Sequence, residues 1–398
     1  MMKISKTVHN IEQSLTLALT AKAKQMKKQG LDVVGFGAGE PDFDTPEHIK
    51  EIAIEDIKNG VTKYTPTGGT PELKEAICKK FKRDNGLDYQ PNQILVSPGA
   101  KFSLYAAIMA LCDHGDDVII PSPFWLTYPE QVKAAGGNPV YIQTGVESEF
   151  KIKPEQLEKA ITPRTSIFIL NSPSNPTGAV YTKTELEALA DILLKTNIAI
   201  ISDEIYECLL YDDVKFVSFP TLRPELKERT IIVNGVSKTY SMTGWRIGYA
   251  AGPADVIGAM NRLQDHSTSN PTSFTQRASA HAILGDQTCV EKMRQAFDER
   301  RKYMVQRLNS IPGVKCAAPK GAFYVFPDVS SFYGKKLAGK QVNGSVELAN
   351  VLLEEFKVAV VPGKPFGDDR CERLSYAMSM QDIVKGLDRI EAALKSMA

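Results

Sequence analysis

One lysine and one arginine share a turn-rich segment of the chain. Lys238 and Arg246 lie in the segment 237–248, which follows the apolar run 231–233. Desolvation at the end of a buried strand disfavours an ammonium group, so a lysine there loses its proton readily. A neutral lysine amine can form a Schiff base with an aldehyde, and the obvious aldehyde is pyridoxal phosphate. Arg246 and the hydroxyl of Ser237 would then hold the phosphate of that cofactor.

Polar side chains also follow another apolar run. Asp203 and Tyr206 come directly after residues 198–201, and ligands of open α/β sheets bind at the carboxyl ends of strands. A carboxylate there can pair with a protonated pyridine nitrogen, and Tyr206 would reach the phenolic oxygen of the same ring. The alternative is an acidic strand end that only caps a helix.

A third polar segment, residues 171–178, is dense in turn-forming residues. The amide of Asn175 would donate to the same phenolic oxygen, and the prolines on either side, Pro173 and Pro176, would stiffen its placement. The alternative is a loop without a binding role.

The segment 97–101 links a predicted strand to a predicted helix. Gly99 and Ala100 are small enough for their backbone N–H groups to approach a phosphate, and the amino end of a helix, here at Lys101, favours an anion. An ordinary capped helix explains this segment equally well. Trp125, after the next predicted strand, would either stack on a flat ring or pack in the core.

A glycine-rich segment, residues 35–42, resembles a dinucleotide-binding fingerprint. Pro41 and Pro46 follow it, and no helix begins after its glycines, so the context for that fingerprint is missing. Backbone N–H groups around Gly39 would instead face a substrate carboxylate. Arg373 offers the planar fork that binds an α-carboxylate through two hydrogen bonds; otherwise it would form a surface ion pair.

Alternating strands and helices must position these residues. The predicted strands are short and rich in β-branched residues, which is typical of buried parallel strands; they span 93–97, 117–120, 165–170, 198–202, 230–233 and 247–251. Helical patterns lie between them, at 101–111, 127–135 and 183–195. The sequence therefore predicts an α/β fold with a mostly parallel sheet covered on both faces.

The C-terminal part follows an α+β pattern and predicts a second, smaller domain. Helical patterns cover 271–309, strands are expected near 322–326, 358–361 and 373–377, and helices near 345–356 and from residue 380. We predict an N-terminal arm at 1–45 that contributes to the small domain, a large cofactor-binding domain at 46–290 and the small domain at 291–398.

Composition excludes several functional classes. The 398-residue chain has a net charge of +1, 43% hydrophobic and 24% charged residues, which gives no basic surface for nucleic acid or an anionic membrane. Its six cysteines form no C-x-x-C pair or Cys/His cluster, so we predict neither disulfides nor a metal site. The first 30 residues lack a hydrophobic signal core, and we predict a cytoplasmic protein without membrane segments.

Together, these motifs resemble the class I aminotransferases of pyridoxal phosphate fold type I, and in particular the bacterial and plastid-type aspartate aminotransferase subgroup. The resemblance extends from residues 14–20 to Arg373, and its motifs are Asn-Pro-Thr-Gly, Asp-Glu-x-Tyr and Ser-Lys-x-x-x-x-x-Gly-x-Arg, in this order. It implies a large domain around a mostly parallel seven-stranded sheet and a smaller α+β domain.

The resemblance also implies a role for each motif residue. Lys238 would bind the cofactor covalently and move a proton, Asp203 would pair with the ring nitrogen, and Asn175 and Tyr206 would contact the ring oxygen. Trp125 would stack on the ring. The implied phosphate and substrate positions are Gly99, Ala100, Lys101, Ser237 and Arg246 for the phosphate, and Gly39, Trp125, Asn175 and Arg373 for the substrate. Tyr64 matches a tyrosine that reaches the phosphate of the neighbouring subunit, which implies a homodimer.

Substrate choice depends on fewer residues. In this subgroup, Lys101 and Thr16 are the positions expected to bind the distal carboxylate of aspartate, and both residue types are present. Phe102 stands where relatives usually carry glutamine, and this departure bears on fine specificity. The resemblance implies transamination between L-aspartate and 2-oxoglutarate. Transamination of prephenate or of aromatic or neutral amino acids, and a pyridoxal-phosphate-dependent carbon–sulfur lyase, are the alternatives; a transcriptional regulator would need an added DNA-binding domain.

Overall fold

The computed structural model describes residues 2–13 and 15–397. Ser14, the first residue of the segment that begins the family resemblance, lies outside them. The α-helices of the described residues are α1 (Lys6–His9), α2 (Leu15–Lys28), α3 (Glu47–Lys58), α4 (Pro71–Lys80), α5 (Ala100–Leu111), α6 (Thr127–Ala135), α7 (Pro154–Ala160), α8 (Lys183–Leu193), α9 (Pro224–Lys227), α10 (Ala254–Asp265), α11 (Ser273–Leu284), α12 (Thr288–Asn309), α13 (Ser345–Phe356) and α14 (Met380–Lys395).

The strands of the same residues are short and fall into four sheets. In chain order they are β1 (Val34–Gly35), β2 (Ile94–Ser97), β3 (Asp117–Ser122), β4 (Asn138–Gln143), β5 (Thr165–Asn171), β6 (Ala199–Asp203), β7 (Thr230–Gly235), β8 (Gly248–Ala251), β9 (Tyr324–Val325), β10 (Lys335–Leu337), β11 (Lys340–Val342), β12 (Val358–Ala359), β13 (Val361–Pro362) and β14 (Glu372–Ser375).

The largest sheet has seven strands in the order β2-β8-β7-β6-β5-β3-β4. Its strands run parallel except β8, which is antiparallel to both of its neighbours. The predicted α/β class and the mostly parallel seven-stranded sheet are therefore confirmed. Parallel strands place their carboxyl ends at one edge, where Asp203 ends β6 beside Asn171 of β5.

Helices cover both faces of this sheet. Successive side chains of a strand point to opposite faces, so the apolar side chains of one strand pack against helices on both sides. In β3, Ile119 packs with α8 on one face, whereas Val118 and Ile120 pack with α5 and α6 on the other. At the start of α8, the Thr182 hydroxyl accepts a hydrogen bond from the backbone N–H of Glu185. The sheet is thus buried on both faces, as near-continuous apolar strands require.

A second core surrounds a three-stranded antiparallel sheet, β13-β14-β9. It is formed largely by α12, α13 and α14 and also includes Val34 and Phe36 from the N-terminal part of the chain. Strand β1 pairs with β12 in parallel. Arg373 lies on β14 and Tyr324 on β9, so this small sheet carries side chains toward the large one.

The structure refines several predicted elements. The predicted helices at 127–135 and 345–356 match α6 and α13, whereas the helical region 271–309 consists of two helices, α11 and α12, on either side of Gly285. Strand β4 was not predicted. No helix of the described residues combines the length and apolarity needed to cross a membrane.

Candidate active site

Lys238 lies in the loop after β7 and is partly buried. Its Nζ donates to the carbonyl of Gly39 at 2.6 Å. Desolvation lowers the pKa of Lys238 to about 8; the positive charges of Arg373 and Arg246 also lower it, and the carboxylates of Glu40 and Asp203 oppose them. The amine therefore titrates close to neutral pH, which suits a group that must form a covalent bond and exchange a proton.

This lysine gives the cofactor-free protein a distinctive pH dependence. Between about pH 8 and pH 10.5 the unfolded chain holds the lysine proton and the folded chain does not. The free energy of unfolding therefore rises with pH in this window because of this group. The resulting increase in the free energy of unfolding across that window is at most about 3 kcal/mol. We expect Lys238→Met to remove this contribution to the slope of the unfolding free energy against pH.

The measurement is urea unfolding of cofactor-free wild type and Lys238→Met at several pH values across the window. Lys183→Met is the matched control, because Lys183 is 69% exposed and its substitution should leave the slope unchanged. Identical slopes for wild type and Lys238→Met would show that desolvation does not perturb this lysine.

Asp203 is a buried carboxylate at the end of the central strand β6. The Tyr128 hydroxyl donates to its Oδ2 at 2.6 Å, and the backbone N–H of Ile205 donates to Oδ1 at 3.3 Å. Burial raises the pKa of Asp203 to about 6, and these two hydrogen bonds and Lys238 oppose the shift. A cationic partner would favour the ionised form further, as a protonated ring nitrogen would.

Arg373 is a buried cation, 3% exposed. Its Nη1 donates to Asn175 Oδ1 at 3.1 Å, and its Nη2 donates to the carbonyl of Gly37 at 3.0 Å. Its Nε is buried without a hydrogen-bond partner, and no carboxylate of the described residues pairs with it. A buried guanidinium with an unused donor is suited to a carboxylate that arrives from outside the protein.

Asn175 and Tyr206 lie on the same side of the site as Arg373. Because Asn175 Oδ1 accepts from Arg373, the amide Nδ2 is directed elsewhere and can donate to a ligand. Tyr206 is buried, and its hydroxyl lies 2.9 Å from the hydroxyl of Tyr324. Burial raises the pKa of Tyr206 well above its ordinary value, so it is a neutral hydrogen-bond donor.

A second group of residues surrounds the start of α5. Gly99 precedes this helix with φ +90°, and a Cβ at Gly99 would collide with the guanidinium of Arg246. Arg246 is held there by hydrogen bonds to the carbonyls of Thr243 and Pro98. The first N–H groups of the helix, at Ala100 and Lys101, have no acceptor within it. A glycine, a helix start and a guanidinium form a cradle for an anion.

The other predicted site residues include Lys101, Ser237, Thr16 and Tyr64. Lys101 is exposed, and its Nζ lies 5.0 Å above the ring of Trp125. Ser237 is buried one residue before Lys238. Thr16, on α2, has a buried hydroxyl oxygen without a partner, and no hydrogen bond of the described residues joins it to Lys101. Tyr64 is 93% exposed and touches neither group through a hydrogen bond.

Two tyrosines of this site, Tyr128 and Tyr324, were not predicted from the sequence. Tyr128 is separated from Asp203 by 75 residues of chain, and Tyr324 from Tyr206 by 118. Tyr128 lies in a predicted helix only three residues after Trp125, and that proximity was the one available signal. Nothing near Tyr324 in the sequence distinguished it from a core aromatic.

Comparisons with known proteins agree on one family. The family model described as aminotransferase class I and II matches residues 31–390. The chain is 53% identical to an aspartate aminotransferase of Geobacillus stearothermophilus, and the match covers all of both chains. The chain belongs to the class I and II aminotransferase family.

Two further similarities support this membership. An aspartate/prephenate aminotransferase of Nitrosomonas europaea is 50% identical, over 99% of this chain and 100% of the relative. The crystal structure of the aspartate aminotransferase from Rhizobium meliloti has a TM-score of 0.96 and 44% identity, with both chains fully covered. The chain is therefore an aminotransferase, an enzyme class that depends on pyridoxal phosphate.

The residues present fit that cofactor. Lys238 offers an amine of lowered pKa for the aldehyde, and Asp203 offers a buried carboxylate for the ring nitrogen. The contact between Gly99 and Arg246 leaves no room for a Cβ, so this position keeps the backbone accessible to a phosphate. The residues around Lys238 and Asp203 therefore have the chemistry that suits the aldehyde and ring, and those around Gly99 and Arg246 have the chemistry that suits the phosphate.

Proposed function

We propose that this aminotransferase converts L-aspartate and 2-oxoglutarate to oxaloacetate and L-glutamate in a ping-pong reaction. The observation that carries the proposal is the buried guanidinium of Arg373, which has an unused donor and no carboxylate partner in the described residues. A second cation, Lys101, lies over Trp125 and forms no ion pair with any described residue. Two such cations suit a substrate with two carboxylates.

In this proposal, side chains of the protein bind the substrate, orient it and move one of its protons. Arg373 binds the α-carboxylate through its planar fork, with Gly39 beside it, and Lys101 and Thr16 bind the distal carboxylate. The neutral amine of Lys238 would take the proton from the substrate Cα and deliver it to the aldehyde carbon of the cofactor. Bound pyridoxal phosphate supplies a reactive aldehyde and a ring that withdraws electrons from that carbon.

Other residues hold the cofactor in place. Asp203, oriented by Tyr128, pairs with the ring nitrogen, and Asn175 and Tyr206 donate to the ring oxygen. Trp125 stacks on the ring. The phosphate is bound around the start of α5 and in the lysine loop, by the backbone at Gly99, Ala100 and Lys101 and by the side chains of Ser237 and Arg246; the Lys101 ammonium remains for the distal carboxylate.

A homodimer completes this site in the proposal. Tyr64 is 93% exposed, an unusual state for a large aromatic side chain, and Ile54 and Ile57 on the neighbouring helix α3 are about half exposed. A second copy of the chain would cover this apolar face and receive the Tyr64 hydroxyl at its own phosphate position. We also place the protein in the cytoplasm, where the six free cysteines stay reduced.

Prephenate is a second candidate amino acceptor. The relative from Nitrosomonas europaea is named an aspartate/prephenate aminotransferase, and prephenate, like 2-oxoglutarate, carries two carboxylates. The same pair of cations, Arg373 and Lys101, would therefore bind it. Formation of an amino acid product from prephenate and glutamate tests this activity directly.

The experiment that tests aspartate recognition is Lys101→Ala. We expect kcat/KM for aspartate to fall about 10- to 100-fold, since a hydrogen bond to a charged group is lost, whereas kcat/KM for phenylalanine changes less than about 3-fold. Lys133→Ala is the matched control, because Lys133 pairs with Glu130 on α6 and has no place in the proposed site. Equal losses for both donors would show that Lys101 does not bind the distal carboxylate.

The same assays separate the transaminase from a carbon–sulfur lyase. A lyase would release pyruvate and ammonia from cysteine or cystathionine without any 2-oxo acid. The proposed enzyme requires the 2-oxo acid for every turnover after the first. Continuous ammonia release without a 2-oxo acid would contradict the proposal.

A further inference from the structure

Tyr324 lies where the small three-stranded sheet meets the cofactor site. It is fully buried on β9, and its hydroxyl is 2.9 Å from the hydroxyl of Tyr206. The guanidinium carbon of Arg373 lies 4.6 Å from the centre of its ring. A Cβ added to Gly39 would lie 3.3 Å from the same hydroxyl. One side chain without an assigned role therefore contacts or closely approaches three residues of the proposed site.

Other buried tyrosines of the same core serve the backbone instead. The hydroxyl groups of Tyr211 and Tyr376 both donate to the carbonyl of Ala322, at 2.5 and 3.2 Å. Tyr211 also packs against a guanidinium, that of Arg301. Tyr324 differs from them because its hydroxyl partner is a side chain of the site. Tyr211 is thus a matched reference for a tyrosine that is only structural.

The hydrogen bond between the two hydroxyls has a direction that follows from the role proposed for Tyr206. Burial raises the pKa of both Tyr206 and Tyr324. Both hydroxyl groups are therefore protonated near neutral pH, and each can donate one hydrogen bond and accept another. The role proposed for Tyr206 directs its one proton to the ring oxygen, so the Tyr206 oxygen accepts from the other hydroxyl and Tyr324 donates.

We propose that Tyr324 is a positioning residue: its hydroxyl donates to Tyr206 and directs the Tyr206 proton to the cofactor's ring oxygen, while its ring supports Arg373. This inference rests on the role proposed for Tyr206. A hydroxyl that accepts a hydrogen bond becomes a stronger donor itself. The ring oxygen then holds negative charge more easily, and the bound cofactor loses its proton at a lower pH.

The first test is a pH titration of the visible absorption band of the cofactor bound to wild type, Tyr324→Phe and Tyr211→Phe, without substrate. We expect Tyr324→Phe to raise the pKa of the band by about half a unit to one unit, the value of one hydrogen bond. Tyr211→Phe should leave it within about 0.2 unit of wild type. An unchanged pKa in Tyr324→Phe, or equal shifts in both variants, would overturn the inference.

The second test separates the two parts of the side chain. Tyr324→Phe keeps an aromatic face beneath Arg373, so KM for aspartate should stay within about 2-fold of wild type. Tyr324→Leu removes that face, and KM should rise about 3- to 10-fold. Equal KM values for the two variants would contradict the support of Arg373 by the ring.

These results are distinguishable from failure of the proposed function. If wild type shows no visible band with pyridoxal phosphate, the proposed function fails and this inference falls with it. If wild type binds the cofactor and turns over aspartate, but Tyr324→Phe titrates like wild type, only the role of Tyr324 is wrong. A thermal melt of each variant confirms that the comparison is made between folded proteins.

Discussion

Replacing Lys238 with alanine should abolish transamination, with kcat reduced at least about 10⁴-fold, while the protein stays folded. The substitution removes both the amine that bonds to the aldehyde and the base that moves the substrate proton. Lys238 is the lysine whose amine lies among Gly39, Asp203 and Arg373 and whose pKa is lowered to about 8. The measurement is steady-state formation of oxaloacetate from aspartate and 2-oxoglutarate.

Two controls make the Lys238→Ala result specific. Lys133→Ala removes a lysine outside the site and should keep wild-type activity. Borohydride reduction of the wild-type holoenzyme, followed by peptide mass spectrometry, should place the cofactor mass on the peptide that contains Lys238, and on no peptide of the Lys238→Ala variant. Near-normal turnover by Lys238→Ala would exclude this lysine from the reaction.

Replacing Arg373 with lysine should reduce kcat/KM for every amino donor about 10²- to 10³-fold. The positive charge remains, but lysine cannot offer the planar pair of donors that binds a carboxylate, and it leaves the present partners, Asn175 and Gly37, without their donors. Aspartate and phenylalanine should lose similar factors, because both carry the α-carboxylate. This outcome contrasts with Lys101→Ala, which should affect aspartate selectively.

The Arg373→Lys comparison uses kcat/KM for aspartate and phenylalanine in the same assay. Arg307→Lys is the matched control: Arg307 forms ion pairs with Asp388 and Glu391 on α14, outside the proposed site, and its substitution should change neither value. Retention of cofactor by Arg373→Lys shows that the site is assembled. A loss confined to aspartate would assign Arg373 to the distal carboxylate instead.

Sequence patterns predicted the elements whose local signal is strong. The buried strands of the large sheet are short β-branched runs that end at polar residues, and for this reason the sequence alone was enough to single out Asp203 and Lys238. Strand β4 was not predicted because it lies at the edge of the sheet and is largely exposed. It also contains Pro139, and proline within a strand is typical of edge strands.

Contacts between distant parts of the chain could not be predicted from local patterns. Arg373 and Asn175 are 198 residues apart, and only the packing of the small sheet against the large one brings their side chains together. The same applies to Tyr128 with Asp203 and to Tyr324 with Tyr206. The family resemblance supplied roles for residues in motifs, but a supporting residue outside a motif becomes visible only through its contacts.

The predicted domain boundaries and the dimer remain predictions. Residues 1–45, 46–290 and 291–398 were assigned from patterns alone. Measuring the mass of the protein in solution would test the dimer. Complementation between inactive Tyr64 and Lys238 variants would test whether the exposed Tyr64 acts across subunits. A mixed dimer of the two variants would contain one intact site if Tyr64 acts across subunits.

The most direct test of the central claim is a single half-reaction. L-Aspartate is added to the purified holoenzyme without any 2-oxo acid, and the visible spectrum is recorded together with the oxaloacetate released. We expect loss of the visible cofactor band and release of about one equivalent of oxaloacetate per active site. A band that is unchanged by aspartate, but lost with phenylalanine or alanine, would keep the fold and Lys238 and contradict the assignment of aspartate as substrate.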